Sequence, residues 1–589
     1  MERSLLPAED DARRARTAFL RALELTAPIR QGLVPTLPTL IETFASRSGD
    51  RVAILDDQES WSYRRLLQQM NRVARWALAA GVRKGDVVAI VMTGGAGYLA
   101  TWLGLTRIGA VAALINANLG GEVLARALAA AVPSHLIIES GYEAAAEAVQ
   151  RQLTAPLSVI VPGEDALAAC ADGALNDIGS PALDDRALYL YTSGTTGFPK
   201  AVAISHRRIL EWSYWFSGIM GASERDRLYD CLPLYHAIGG ISGVGAMLVS
   251  GGSVVLRKRF SARTFWPEVS ATQCTIFLYI GELCRYLLSN PADPAEALHR
   301  VRLCCGSGLR GDIWANFERR FRIPQILEFY AATEGTVSLY NVEGKRGAVG
   351  RVPSFLRHRA AIALVEVDAE GNVFRGADGL CRRPAIGEAG EAVGRITDEG
   401  SGGAGRFDGY NDRDASRARI LRDVFQPGDA WFRTGDLMRQ DAERFFHFID
   451  RLGDTFRWKG ENVSTSEVAA ALAACPGVNE AVVYGVPVPG AEGRAGMAAI
   501  VAAPGFDPVR LWRDIAARLP RYASPLFLRL VPAIETTATL RPQKQRLMRE
   551  GFDPVTIRDP LYFNASDRQS FVPLDADLHS RIVAGKIRF

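Results

Sequence analysis

The chain has 589 residues, of which 48% are hydrophobic and 23% are charged, and its formal net charge is +4. A chain this long exceeds the size of one hydrophobic core, so we expect at least two domains. The small, dispersed positive charge argues against a nucleic-acid-binding protein. The 8 cysteines are scattered without a CxxC pair, which fits a reducing compartment and argues against a structural zinc site.

Residues 1–19 are charged and lack the apolar segment of a signal peptide. The most apolar region, residues 87–115, is interrupted by glycines and by Arg107. Because no run reaches the roughly 18 apolar residues of a membrane span, we expect buried strands and helices here. These features predict a cytoplasmic protein and leave open contact with a membrane at its periphery.

Strand and helix patterns alternate through the N-terminal part of the chain. Apolar spacing predicts a helix over 63–80, a strand over 86–92, a helix over 98–109 and a strand over 111–115. This alternation predicts a layered α/β domain. Residues 366–382 alternate with Gly and Asp turns and indicate a β-rich subdomain.

The pattern changes near residue 450. We predict a large layered α/β domain over residues 1–450 and a small α+β domain over residues 451–589. The elements predicted in the small domain are strands over 478–486, 498–502 and 527–531 and helices over 464–474 and 508–519.

Residues 191–200 read YTSGTTGFPK and lie between two apolar runs, which predicts a strand, a tight loop and a strand. Glycines let backbone N–H groups point into a concavity, hydroxyls add donors, and lysine adds a positive charge. The expected ligand is a polyphosphate. The spacing differs from a Walker A loop, because Pro199 precedes Lys200 and a strand follows.

Further short blocks follow this loop in order: PLYH (233–236), YAATEG (330–335), TGD (434–436) and DR (450–451). Together they resemble the signature of the adenylate-forming superfamily of AMP-binding enzymes, which includes the acyl-CoA synthetases. The resemblance implies a large α/β domain followed by a small, mobile α+β domain.

Longer stretches are similar to one branch of that superfamily, the fatty acid transport proteins and very-long-chain acyl-CoA synthetases. These stretches are ALINANL (113–119), EFYAATEGTVSLYNVEGKRGAVGR (328–351), DRLGDTFRWKGENVSTSEV (450–468) and EGFDP (550–554).

The resemblance implies an ATP site. Glu334 would carry Mg²⁺, a hard cation that prefers carboxylate and phosphate oxygens, and Thr333 would donate to the α-phosphate. Asp436 would accept hydrogen bonds from the ribose hydroxyls, with Arg451 as a second ribose contact. The residues expected to hold the polyphosphate are Thr192, Ser193, Gly194, Thr195, Thr196, Gly197 and Lys200.

The adenine ring is expected against Gly306, Ser307 and Gly308 on one side and against Tyr330 and Ala331 on the other. A core position is the alternative for Tyr330.

His236 follows Pro-Leu-Tyr and is expected to line and gate the carboxylate site. A purely structural histidine is the alternative for this position.

Coenzyme A is the expected second substrate. The resemblance implies that Gly453 is the hinge about which the small domain rotates between two half-reactions. One wall of a tunnel for the pantetheine arm is expected at Trp458, Lys459, Gly460 and Glu461, where a simple hairpin is the alternative.

One residue departs from the pattern of the resembled branch. The segment TATLRPQK (537–544) has Arg541 where that branch has the lysine that bridges the carboxylate and the α-phosphate. Arginine keeps the charge but changes reach and donor geometry, so we expect slow rather than absent adenylation. Lys544 is a second candidate for that role, displaced by three residues.

The resemblance implies ATP-dependent ligation of a long or very long fatty acid to coenzyme A. Two alternatives stay open: another bulky hydrophobic carboxylate, such as a sterol-derived acid, and a relative whose adenylation is impaired by Arg541. The glycines at 239, 240, 243 and 245 fit either a roomy acyl pocket or a glycine-rich helix start.

Overall fold

The elements below come from a computed structural model. It describes residues 8–57, 59–119, 121–139, 142, 157–160, 164–193, 199–332, 337–357, 362–368, 371–396, 417, 419–452, 454–458, 461–489, 491, 493–537 and 542–587.

The α-helices are α1 (Ala8–Arg30), α2 (Leu37–Ser48), α3 (Tyr63–Ala79), α4 (Ala96–Arg107), α5 (Gly121–Ala131), α6 (Glu164–Ala168), α7 (His206–Met220), α8 (Ala246–Ser250), α9 (Phe265–Ala271), α10 (Gly281–Ser289), α11 (Gly311–Phe321), α12 (Thr465–Ala473), α13 (Pro508–Ala516), α14 (Gln545–Glu550) and α15 (Ala576–Val583). A π-helix spans Ile238–Gly245, and 3₁₀ turns span Pro294–Ala297 and Ser354–Leu356.

The strands are β1 (Val52–Leu55), β2 (Ser60–Ser62), β3 (Val87–Val91), β4 (Val111–Leu114), β5 (His135–Ile138), β6 (Ser158–Ile160), β7 (Arg186–Ser193), β8 (Pro199–Ser205), β9 (Arg227–Asp230), β10 (Ser253–Leu256), β11 (Ile276–Ile280), β12 (Leu303–Ser307), β13 (Gln325–Ala331), β14 (Ser338–Asn341), β15 (Ile362–Val365), β16 (Ala389–Arg395), β17 (Ile420–Arg422), β18 (Ala430–Gln440), β19 (Phe446–Arg451), β20 (Phe456–Trp458), β21 (Glu461–Val463), β22 (Val478–Pro487), β23 (Arg494–Ala502), β24 (Phe527–Leu530), β25 (Leu561–Ala565) and β26 (Ser570–Pro573).

The chain divides into two compact units, one of residues 1–361 with 395–421 and one of residues 362–394 with 422–589. In the first unit, one sheet has the strand order β6, β5, β3, β4, β7, β8, parallel except for the β7–β8 pair. The other has the order β14, β13, β12, β11, β9, β10, β1, β2, antiparallel only at its two edges. Parallel neighbours need crossover connections, which explains the alternation predicted from the sequence.

The apolar region at 87–115 forms β3, α4 and β4, as predicted to within two residues at each end. Every residue of α4 except Gly97 is buried, so this helix lies within the protein interior. Arg107 ends the helix, and its Nε lies 2.5 Å from Glu42 Oε1 on α2, which compensates a charge that is largely removed from water. Within the described residues, none of the helices is both long and apolar enough to cross a bilayer.

The second unit contains a β-rich part and a small α+β part. In the β-rich part, β16 lies between β15 and β18, and β19 pairs antiparallel with β18. The region predicted as β-rich, 366–382, contributes isolated bridges rather than continuous strands. In the small part, the sheet order is β22, β23, β24, β25, β26, and its predicted strands and helices are all found, with β23 starting four residues earlier than expected.

Candidate active site

The decapeptide at 191–200 sits where β7 turns into β8. The two strands are antiparallel, and Thr192 pairs with Lys200 and Ser193 with Pro199. The two predicted strands are therefore confirmed, and Lys200, near the start of β8, is half-buried. Gly194, Thr195, Thr196 and Gly197 lie outside the described residues.

The glycines predicted to face adenine lie at the carboxyl ends of parallel strands. Gly306 on β12 is paired with Tyr279 on β11, and a Cβ at position 306 would lie 2.2 Å from the Tyr279 carbonyl oxygen. Gly308 has a φ of +89°, a conformation that favours glycine. Glycine at both positions is thus required by close strand packing and by the turn that follows.

Tyr330 and Ala331 end the neighbouring strand β13, so the structure brings them to the same sheet edge as residues 306–308. Tyr330 is half-buried and Ala331 is exposed. We call this set (Tyr279, Gly306, Gly308, Glu328 and Tyr330) the glycine edge.

Glu328 is a residue of this edge that the sequence analysis did not single out. Its carboxylate is 2% exposed and accepts hydrogen bonds from Tyr279 Oη at 2.5 Å, from Gly308 N and from Leu309 N at 3.3 Å. Burial raises the pKa of Glu328 to about 8, although the three donors oppose that shift. A lone carboxylate within an otherwise apolar strand was the signal available in the sequence.

His236 lies two residues before the π-helix. Its backbone N–H donates to the Pro233 carbonyl at 3.1 Å, its carbonyl accepts from Gly240 N at 2.9 Å, and its half-buried ring lies 4.7 Å from the Tyr235 ring. A π-helix is uncommon and often marks a functional site. The gating role of His236 stays a prediction.

The glycines of this π-helix are required by packing. A Cβ at Gly240 would lie 2.3 Å from the Leu234 carbonyl oxygen, at Gly243 2.3 Å from Leu278 Cδ1, and at Gly245 2.2 Å from Ser213 Oγ. The space beside them is filled, so of the two explanations the structure favours the glycine-rich helix over a roomy acyl pocket.

In the second unit, β18 and β19 bring Asp436 and Arg451 together as a directly opposed pair. Arg451 Nε lies 3.1 Å from Asp436 Oδ1, and the aspartate side chain is 8% exposed while the arginine is 47% exposed. A buried acceptor beside an accessible donor suits recognition of a diol, which is the ribose role predicted for this pair.

Glu391 on β16 forms hydrogen bonds to the Thr-Gly-Asp motif and to the residue before it. This glutamate is fully buried and was not predicted from the sequence. Glu391 accepts from Gly435 N at 3.0 Å and from Arg433 Nε at 2.9 Å. Gly435 has a φ of +75°, and Thr434 Oγ1 donates to the Ala392 carbonyl at 2.7 Å. Each residue of the motif therefore has a local reason for its type.

Trp458 ends β20, and its side chain is buried in the hydrophobic core of the small part, with Phe456 and Val463. The role of Trp458 in a wall of the coenzyme A tunnel stays a prediction. Lys459 and Gly460 lie outside the described residues, and Glu461 lies in β21, paired with Trp458 of the antiparallel strand β20.

Four further predicted residues also lie outside the described part of the chain: Thr333, Glu334, Gly453 and Arg541. Within the described part, no cluster of three or more His, Cys, Asp or Glu side chains forms a metal site.

The branch-specific block EGFDP has a structural role. Glu550 Oε2 lies 2.5 Å from Arg529 Nη1, and the Phe552 ring stacks on Phe527 with centroids 4.1 Å apart. Asp553 Oδ1 lies 4.0 Å from His579 Nδ1. The block thus joins β24 to the C-terminal helix α15.

Comparison with known proteins shows the family to which this chain belongs. The AMP-binding enzyme family matches residues 41–379, and the AMP-binding enzyme C-terminal domain matches residues 467–540. Long-chain fatty acid transport protein 1 of Mus musculus is 41% identical over 581 residues, covering 96% of this chain and 89% of that protein. The medium/long-chain-fatty-acid–CoA ligase FadD6 of Mycobacterium tuberculosis is 38% identical over 558 residues, covering 94% and 92%.

Solved structures show the same fold. ATP-bound MatB from Rhodopseudomonas palustris has a TM-score of 0.73 at 22% identity and covers 87% of this chain and 98% of that one. A benzoate CoA ligase from Burkholderia xenovorans LB400 has a TM-score of 0.72 at 22% identity, covering 87% and 100%.

The fold and the ordered motifs define an adenylate-forming enzyme. The chain belongs to the AMP-binding enzyme family, in the branch that contains the fatty acid transport proteins and a fatty acid–CoA ligase, as the blocks at 328–351 and 450–468 predicted.

Proposed function

We propose that this protein ligates a long or very long chain fatty acid to coenzyme A, using ATP and passing through an acyl-adenylate. The observation that carries the proposal is the 41% identity to a long-chain fatty acid transport protein over 96% of the chain. The paired Asp436 and Arg451 and the glycine edge support it, because both have the chemistry that a nucleotide requires.

In the first half-reaction, a carboxylate oxygen attacks the α-phosphorus of ATP. The new bond gives the acyl-adenylate, and the bond to pyrophosphate breaks. Phosphoryl transfer of this kind depends on positioning and on charge neutralisation more than on covalent help from the protein. Lys200 and the hydroxyls of residues 192–196 would hold the β- and γ-phosphates, and Thr333 would donate to the α-phosphate.

The adenosine moiety of ATP would be held by the ribose pair and by the glycine edge. Asp436 would accept from the ribose hydroxyls and Arg451 would donate to them, while adenine would lie against Gly306–Gly308 and Tyr330. A bound Mg²⁺ would neutralise phosphate charge, and Glu334 is the carboxylate proposed to hold it.

In the second half-reaction, the thiolate of coenzyme A attacks the acyl-adenylate carbonyl, forms the thioester and expels AMP. Rotation about Gly453 would let one site serve both steps, and residues 459–461 would then line the path of the pantetheine arm.

The acid is proposed to be long and hydrophobic, although the glycines of the π-helix give no support to a wide pocket. A sterol-derived acid is the alternative within the same chemistry. We also propose that the enzyme is cytoplasmic and contacts a membrane at its periphery, because an acid of this kind partitions into lipid.

The proposal is tested by supplying ATP, Mg²⁺, coenzyme A and an equimolar mixture of medium, long and very long fatty acids with one sterol-derived acid. Mass spectrometry of the CoA thioesters identifies the preferred acid. We expect long-chain thioesters to dominate. A dominant sterol-derived thioester would overturn the assignment of the acid, and the absence of every thioester would overturn the ligase.

A further inference from the structure

A buried carboxylate joins the end of β19 to the start of α12. Asp450 is 2% exposed, and it accepts from Ser464 Oγ at 3.2 Å, Thr465 Oγ1 at 3.0 Å, and Ser466 N and Oγ at 3.2 and 3.3 Å. A carboxylate removed from water is stable only where hydrogen bonds replace its hydration, and the N-terminus of a helix supplies them.

The ammonium group of Lys544 is linked to the Asp450 carboxylate through the hydroxyl of Thr465. Lys544 Nζ donates to Thr465 Oγ1 at 2.8 Å, and the same hydroxyl donates to Asp450 Oδ2. Lys544 Nζ also lies 3.6 Å from Asp454 Oδ2, and the lysine side chain is only 18% exposed. We call this set (Asp450, Asp454, Ser464, Thr465, Ser466 and Lys544) the hydroxyl seam. Chains of hydrogen bonds such as this one strengthen each of their members.

The hydroxyl seam continues directly into the proposed ribose pair. Arg451 N donates to Asp450 Oδ1 at 2.9 Å, and Asp454 N donates to the Arg451 carbonyl at 2.9 Å. Leu452 N donates to the Gly435 carbonyl at 2.9 Å, next to Asp436. The backbone on both sides of Arg451 is therefore fixed by groups that the seam holds.

We propose that Thr465 and Lys544 are positioning residues for the nucleotide: they hold Asp450 and Asp454, and thereby the guanidinium of Arg451, in the place that receives the ribose. The proposal rests on the function proposed above. It also gives Lys544 a role different from that of the missing adenylating lysine.

The two roles of Lys544 predict different results. A positioning lysine acts through Thr465, so removing either side chain weakens nucleotide binding to a similar degree, and removing both adds little. An adenylating lysine acts on the reacting groups, so its removal stops ATP–pyrophosphate exchange while loss of the Thr465 hydroxyl changes nothing.

The experiment measures the Kd for AMP of the full chain by calorimetry, in four variants and one double variant. Thr465→Val removes the hydroxyl at nearly constant volume, and Thr465→Ser is its matched control because it keeps the hydroxyl. Lys544→Met removes the charge, and Lys544→Arg keeps it. Loss of one hydrogen bond of this kind corresponds to about a three- to tenfold change in Kd.

We expect Thr465→Val and Lys544→Met each to raise the Kd for AMP about three- to tenfold, Thr465→Ser to leave it unchanged, and the Thr465→Val/Lys544→Met double variant to match the weaker single variant. An unchanged Kd in both single variants, or strictly additive effects, would overturn the proposal. A thermal destabilisation of Thr465→Val without any change in Kd would show a structural role only and would also overturn it.

A second readout separates this proposal from the proposed function. If the unaltered chain binds no AMP, the proposed function fails, whereas the hydroxyl seam is still measured by hydrogen exchange of the amides at 451–455. Faster exchange in Thr465→Val than in Thr465→Ser supports the seam as a positioning device, and equal exchange contradicts it.

Discussion

The glycine edge, in the first unit, and the hydroxyl seam, in the second, are held by different forces. At the glycine edge, the backbones of two strands pack closely, and Tyr279 fills the space that a Cβ at Gly306 would need. At the hydroxyl seam, side-chain hydroxyls and one lysine hold a buried carboxylate. The contrast teaches that the first region tolerates almost no added atom, whereas the second can be altered one hydrogen bond at a time.

The largest expected effect is at the glycine edge. Gly306→Ala places a Cβ 2.2 Å from a backbone oxygen that cannot move without breaking the sheet, so we expect a loss of about 4 kcal/mol in the free energy of unfolding. Chemical denaturation measures it. Gly179→Ala is the matched control, because nothing lies within 4 Å of a Cβ there. Equal stability of the two variants would remove the backbone argument for this edge.

The next effect belongs to the segment just before Lys544. Arg541→Lys restores the side chain that the resembled branch has at this position, so we expect ATP–pyrophosphate exchange to become about tenfold faster or more. Lys544→Arg in the same assay is the control for a change of cation nearby. An exchange rate that stays the same or falls would show that the arginine is a working part of this site.

A smaller change is expected at the ribose pair. Asp436→Asn keeps the shape of the side chain but loses the charge beside Arg451 and one acceptor, so we expect the KM for ATP to rise about five- to tenfold. Asp577→Asn, at a side chain that is 83% exposed on α15, is the matched control. Steady-state kinetics at saturating acid and coenzyme A would measure both, and an unchanged KM in Asp436→Asn would exclude the ribose role.

The smallest effect is a pH dependence at the glycine edge. Because burial raises the pKa of Glu328 from 4.5 to about 8, the folded state binds more protons than the unfolded state between these values. The stability from this group is present below pH 4.5 and is lost as the pH rises through 8. Between pH 6.5 and 7.5 we expect the free energy of unfolding of the unaltered chain to fall by about 1 kcal/mol more than that of Glu328→Gln in denaturation experiments. Parallel pH profiles would contradict this.

The sequence predicted most of the fold because apolar periodicity is local. The helix at 63–79 and the strands β3 and β4 follow from spacing alone. The order of strands in the two large sheets, in contrast, depends on contacts between residues far apart in the chain, which periodicity does not encode.

The sequence predicted the site residues that belong to short motifs, and it missed the residues that support those motifs from distant parts of the chain. Asp436 and Arg451 were both predicted as ribose contacts, and the structure places them opposite each other on β18 and β19. Glu391 and Glu328 were missed, because the backbone amides that donate to them, those of Gly435 and Gly308, lie far from them in the sequence. Lys544 was considered only as a stand-in for the adenylating lysine, since its contact with Thr465, 79 residues away, is formed by folding alone.

The most direct test of the central claim is acid-dependent release of AMP from ATP, measured with and without coenzyme A on fatty acids of graded length. We expect AMP to be released when a long-chain acid and coenzyme A are both present, and little AMP to be released when either is left out. AMP release that ignores the acid, or no release with any acid, would contradict a two-step fatty acid–CoA ligase.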